Sequence, residues 1–145
     1  MTNRAVAGLG VCVAVGLMLL STGCSGKVHS LNGATQFGPQ VLESPQPVLM
    51  YFYKGGCPTC IALDPTIDKL AREYDGRVKV MKYMMMNPVF IVRAPSLRER
   101  YGTWFYPTVI LFVDGQERKR WVAGYGINDY RRELDKVAPP PAKRS

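Results

Sequence analysis

The chain has 145 residues, 47% of them hydrophobic and 21% charged, and a formal net charge of +8. That is one domain of ordinary globular composition, long enough to bury a core without a disulfide framework. The cations are spread along the chain, with Arg118-Lys119-Arg120 the only tight run; a nucleic-acid binder gathers them into a stripe with interleaved aromatics, so no nucleic-acid partner is expected.

Residues 1–23 read as an address. Arg4 precedes an uncharged, mostly apolar run from Ala5 to Leu20, and small residues follow, which is the order of a secretory signal. The run is 16 residues long, short of the roughly 20 that span a bilayer. The ending Leu20-Ser21-Thr22-Gly23-Cys24 resembles a bacterial lipobox, in which the cysteine is acylated and becomes the new N-terminus. Gly23 fits that pattern; Leu20 stands one place earlier than its large apolar residue usually does. Cleavage would remove Arg4, the only charged side chain before Cys24, and leave +7. The expected location is extracytoplasmic and membrane-anchored, on the periplasmic side or the cell surface. A plain secretory signal or an uncleaved anchor would put the domain on the same side.

Residues 24–46 read as a tether, small and polar to Gln36, then a short helix over Phe37–Glu43 that Ser44-Pro45-Gln46-Pro47 ends. The domain proper is expected over 47–137. Val48–Tyr53, VLMYFY, suits a central strand covered on both faces. After the CPTC turn, apolar residues at 61, 63, 67, 70, 71 and 74 keep a helical rhythm, with Pro65 expected to kink it. Arg77–Tyr83 alternates as a strand. Ser96–Tyr101 suits a short helix with Ser96 as its cap and Glu99 at capping-box spacing. Tyr106–Val113 is a strand, Asp114-Gly115 a hairpin turn and Glu117–Ala123 the returning strand. Asn128 is expected to cap a last helix running to Val137, and 138–145 to form a disordered tail. The order describes an α/β/α sandwich around a mixed sheet.

The chemistry concentrates in Lys54-Gly-Gly-Cys-Pro-Thr-Cys60. Two cysteines so spaced can hold a metal, close a staple or exchange electrons. Cys12 lies in the signal and Cys24 is committed to lipid, so Cys57 and Cys60 are the remaining thiols. A structural zinc site needs four cysteines, or two with two histidines, and the sole histidine is His29; neither metal nor organic cofactor is expected. A staple closing so small a ring constrains the unfolded chain little. A cysteine at a helix N-terminus, by contrast, meets unpaired N–H groups and the positive end of the dipole, and its pKa falls. Pro58 at the first helical position loses no hydrogen bond, Thr59 completes the turn, and Lys54 adds positive charge. Cys60, about one turn inside, is placed to attack a mixed disulfide on Cys57.

Here the chain resembles the thioredoxin family, from about Pro47 to Val137. VLMYFYKGGCPTC resembles the strand leading into the family's redox motif, IALDPTIDKLAREYDGRVKVMKY its long helix and next strand, and YGTWFYPTVILFVDGQ its cis-proline segment and hairpin. Gly124 falls where the family keeps a glycine; the family's first strand is not evident. The resemblance implies that Cys57 attacks and Cys60 resolves, that Pro107 is cis against the CPTC turn, and that the Tyr106 backbone pairs with an extended substrate. Three departures stand out. Gly56, after Gly55, replaces a tryptophan, implying a smaller, more mobile rim. Tyr51 stands where a buried aspartate serves as proton acceptor beneath the second cysteine, and Lys82 matches a lysine often near that acid. Met84–Pro95 holds about seven more residues than the usual loop.

Met84-Met85-Met86 invites Cu(I), but neighbouring strand residues point to opposite faces. Trp104-Phe105-Tyr106 fits a substrate platform or a partly buried core equally well. The resulting expectation is a monomeric, membrane-tethered thiol–disulfide oxidoreductase that exchanges disulfides with protein substrates and with a membrane electron donor or acceptor. Its rival is a non-catalytic thioredoxin-fold binding module or Cu(I) handler.

Overall fold

The computed structural model describes residues 26–139; the signal segment, Cys12, Cys24 and residues 140–145 lie outside them. Five strands form one sheet in the order β1-β3-β2-β4-β5. They are β1 (His29–Ser30), β2 (Val48–Lys54), β3 (Lys79–Met86), β4 (Thr108–Val113) and β5 (Gln116–Val122), and the helices are α1 (Pro58–Glu73), α2 (Pro95–Tyr101) and α3 (Ile127–Val137). β1 and β2 flank β3 in parallel, while β2–β4 and β4–β5 are antiparallel. The sheet is therefore mixed, as expected.

β2 is the middle strand, and none of Val48–Phe52 is more than 1% exposed. Its alternation divides the core into two layers. Leu49 and Tyr51 face Leu63, Ile67 and Leu70 of α1 and Tyr130 and Leu134 of α3. Val48, Met50 and Phe52 face Phe37, Val41 and Leu97. Each such aliphatic side chain, fully buried, stabilises the fold by about 1.5–3 kcal/mol. On the first layer Arg131 of α3 donates twice to Glu73 of α1, and the Tyr74 hydroxyl donates to Asp135 at 2.6 Å. Asp114 (φ 51°) and Gly115 (φ 71°) make the two-residue hairpin, a turn that needs positive φ at both positions.

Four local expectations change. Residues 28–31 are no tether: His29 and Ser30 pair with Met81 and Lys82, and Leu31 and Phe37 are 6% and 2% exposed. Even Gly26 lies against the C-terminal turn of α1, with room for no side chain between it and Ala71 and Arg72. α2 starts at Pro95 with Ala94 as its cap, so Ser96 is already inside the helix and makes no capping bond; proline suits the first helical position. Gly126, not Asn128, caps α3, and the Asn128 amide oxygen instead accepts from Arg131. The tail expected from 138 loses its first residue to the core: Ala138 is 7% exposed and its carbonyl accepts from Arg77 at 2.6 Å.

Candidate functional site

The site is assembled at the end of the sheet where β2 stops. After Lys54 the chain turns through Gly55 and Gly56, closed by a 3.4 Å bond from the Cys57 N–H to the Lys54 carbonyl. Gly56 takes φ 71° there, which a glycine adopts without strain. Cys57 is then the N-cap of α1, with extended backbone, and Pro58 opens the helix. The Ile61 N–H donates to the Cys57 carbonyl at 3.0 Å. Cys57 is half-buried and Cys60 is 2% exposed: one sulfur meets solvent and the other sits in the core one turn deeper.

The two thiols are electrostatically unlike. Burial raises the pKa of Cys57, but hydrogen bonds from the Thr59 hydroxyl, the Cys60 side chain and the Cys60 and Thr59 backbone N–H groups prevail and leave it below the ordinary thiol value. The Thr59 hydroxyl stands 3.1 Å from the Cys57 sulfur. Cys60 is pushed up to about 11, by burial first, with Cys57 adding to it and a backbone bond from Lys54 opposing it. The easily ionised sulfur is the accessible one.

Tyr51 lies beneath the pair, and its hydroxyl donates to the Cys60 carbonyl at 3.1 Å. Burial, then Cys60 and Asp64, hold this phenol far above the usual tyrosine range, so it donates a hydrogen bond and does not act as a base. Lys82 is its partner across the parallel ladder. The Tyr106–Pro107 bond is cis. Phe52 pairs with Thr108, so Pro107 stands at the same sheet end as the thiols. Tyr106 packs against the cluster that contains Cys60, and burial, with Cys60 contributing, raises its phenol. Trp104 and Phe105, just before it, are 50% and 70% exposed, which settles them as surface aromatics. A cleft of about 240 Å³ runs beside the motif between Thr59, Ala62 and Thr66 of α1 and Ala123-Gly124-Tyr125. Apart from Thr59 and Gly124, these cleft residues carried no distinguishing signal in the sequence.

Two features differ from expectation. The Lys54 ammonium is directed to the ring of Phe90, 3.7 Å from its centroid, in the inserted segment. The glycine rim is also not a bare one. Gly55 is buried, its N–H donates to the Met86 carbonyl at 2.9 Å, and a Cβ there would lie 2.7 Å from Pro88 Cδ. The methionines diverge along β3: Met85 is in the core, Met84 and Met86 half-buried. Among the described residues no group of three or more His, Cys, Asp or Glu is arranged to hold a metal ion.

The comparisons agree with this geometry. A family model, Thioredoxin, matches residues 27–135, so the match includes the first strand. Thioredoxin of Rickettsia felis is 38% identical over 84 residues, 58% of this chain and 74% of the relative. Thioredoxin 1 of Synechococcus elongatus is 34% identical over 100 residues, 69% of this chain and 88% of the relative. Thioredoxin M-type, chloroplastic, of Spinacia oleracea is 37% identical over 100 residues, 69% of this chain and 52% of the relative.

Proposed function

The chain belongs to the thioredoxin family and is a thiol–disulfide oxidoreductase acting on protein disulfides, and we propose that it does this outside the cytoplasm, tethered to a membrane, through its CPTC motif. The observation that carries the chemical part is the asymmetry of the pair: an accessible Cys57 with lowered pKa at a helix N-terminus, over a buried Cys60 with raised pKa.

In the reducing direction the Cys57 thiolate attacks one sulfur of a substrate disulfide. The S–S bond breaks, a mixed disulfide forms, and the other substrate sulfur leaves as a thiolate. Cys60 gives its proton to that thiolate or to water and attacks the Cys57 sulfur, releasing the second substrate thiol. The substrate gains two electrons and two protons, and the protein becomes the Cys57–Cys60 disulfide. The oxidising direction is the reverse. Tyr106 and Pro107 would line the substrate segment, and Lys54, Pro58 and Thr59 shape the motif. A membrane electron donor or acceptor restores the pair.

The tether rests on residues 1–24. Only Ser25 separates Cys24 from Gly26, which already packs on the C-terminal turn of α1. A 16-residue helix is about 24 Å long, so an acyl group on Cys24 would hold one end of α1 to the bilayer and turn the thiols away from it. Equilibration of the protein with glutathione or dithiothreitol buffers tests the chemistry. A potential between about −270 and −120 mV, lost in Cys57→Ser, supports exchange; a pair that never equilibrates refutes it. Labelled fatty acid incorporated by the wild type and absent from Cys24→Ser tests the anchor.

A further inference from the structure

The inserted segment between β3 and α2 is a built structure. The Asn87 N–H donates to the Ile91 carbonyl at 3.1 Å and the Phe90 N–H to the Asn87 carbonyl at 3.1 Å, while the Asn87 side chain accepts from the Ile91 N–H at 2.8 Å. Met86 and Val92 bridge at its base. This small hairpin holds Val89, Phe90 and Ile91 outward, at 70%, 69% and 61% exposed. Their side chains contribute little to the core, and Phe90 opposes the local backbone. It takes φ 65°, the left-handed region that glycine and asparagine occupy at least strain. A residue chosen for the turn alone would not be aromatic.

The hairpin is tied to the redox turn at two points. Pro88 fills the space over Gly55. The Lys54 ammonium lies on the Phe90 ring, and three residues after Lys54 comes Cys57. Anything seated on Val89-Phe90-Ile91 therefore lies next to the turn that carries Cys57.

We propose that this hairpin is a docking platform for the partner protein, receiving apolar side chains that flank the partner's disulfide. The inference rests on the exchange reaction and names the class of substrate it prefers: extended segments with large apolar residues next to the reacting cysteine. A bilayer is the poorer occupant. Lipid seated on the hairpin would crowd the redox turn, and Gly26, two residues after the proposed lipid anchor, packs on the opposite end of α1.

The test uses the full chain in phosphatidylcholine vesicles and three probes. They are 2-hydroxyethyl disulfide and two disulfide-cyclised peptides that differ only in carrying Leu and Phe, or Ser, beside their cysteines. The wild type is expected to prefer the apolar peptide by about tenfold or more in kcat/KM. Val89→Ser/Phe90→Ser/Ile91→Ser is expected to bring that preference near unity while leaving the rate with 2-hydroxyethyl disulfide within about twofold. Phe90→Gly relieves the left-handed backbone, so it should raise the denaturation midpoint and still lower the preference, which no folding defect can imitate. An unchanged preference in both variants overturns the proposal. So does a wild-type dimer that the triple variant dissociates, which would make a second copy the occupant. A wild type inert towards all three probes would instead bring down the exchange reaction itself, and this proposal with it.

Discussion

Gly55→Ala probes the contact between the redox turn and the inserted hairpin. The new methyl group would stand 2.7 Å from Pro88 Cδ, 2.9 Å from Cγ and 3.2 Å from the backbone nitrogen. Real Cβ contacts do not occur below about 3.0 Å, so either the hairpin or the turn must move. Overpacking of this kind costs about 1–3 kcal/mol. Replacing glycine where the backbone permits it returns about 0.4–1 kcal/mol through the unfolded chain. The net expectation is a loss of about 1–2 kcal/mol. Pro88→Ala removes Cγ and Cδ, the two closest atoms, so in that background Gly55→Ala should be nearly neutral. Urea denaturation of the four proteins, followed through buried Trp121, gives the coupling directly. A coupling of about 1 kcal/mol or more is expected. Additivity within about 0.5 kcal/mol would refute the contact, and with it the explanation of the glycine rim.

Thr59→Ala removes the hydroxyl beside the Cys57 sulfur and should raise that thiol's pKa, moving the pH profile of iodoacetamide alkylation to higher pH and slowing exchange about fivefold at neutral pH. A profile that does not move would deny the hydroxyl its part. In the reduced protein, Cys60 ionises near 9.0 when unfolded and at about 11 when folded. The folded state holds that proton longer, so Cys60 makes stability fall as pH rises from about 9 to 11, whereas Cys57, lowered on folding, makes it rise with pH just below that window; denaturation midpoints measured across both ranges provide the check. Tyr51→Phe removes the donor to the Cys60 carbonyl and should cost about 1 kcal/mol of stability while exchange stays within about twofold. A hundredfold loss of rate would make Tyr51 a proton carrier after all. Phe37→Ala should cost about 3–5 kcal/mol in thermal denaturation, because this ring packs on Phe52, Tyr101 and Phe112; a tether residue would cost nothing.

What could be read from the sequence followed from how strongly each segment constrains its own structure. VLMYFY is apolar without alternation, and it is the strand covered on both faces. Asp114-Gly115 marked its hairpin because both positions need positive φ. β1 carries no such mark. It has two residues, both exposed, and no period can be read from two positions; the mixed sheet supplies its hydrogen bonds from β3. The helix starts slipped for a related reason. Ser96 and Asn128 are good caps in isolation, but Pro95 and Gly126 set the actual entry. Cys57 and Cys60 were legible because helix geometry alone decides which sulfur is outside. The contacts of Pro88 with Gly55 and of Lys54 with Phe90 were not, since they join segments brought together only by β2 and β3 lying side by side.

That adjacency changes how the departures from the family pattern are understood. The glycines in place of a bulky rim residue and the extra residues after β3 look independent in the sequence. In the fold they meet at Gly55, where Pro88 occupies the place a side chain would take. The hairpin thus requires a glycine at position 55. A Cβ at Gly56, the tryptophan's position, would instead clear Pro88 by 3.9 Å, and glycine is favoured there by its φ of 71°. Tyr51 is a separate change with a different consequence. A carboxylate at that position would place negative charge beneath two sulfurs that must each become thiolates. A phenol that stays protonated places none, and its hydroxyl instead fixes the Cys60 backbone. The order of events then follows from burial and the helix N-terminus: Cys57 ionises first because donors surround it, and Cys60 ionises last because solvent does not reach it. In the proposed exchange, the direction of attack is thus set by the first turn of α1, without a buried base.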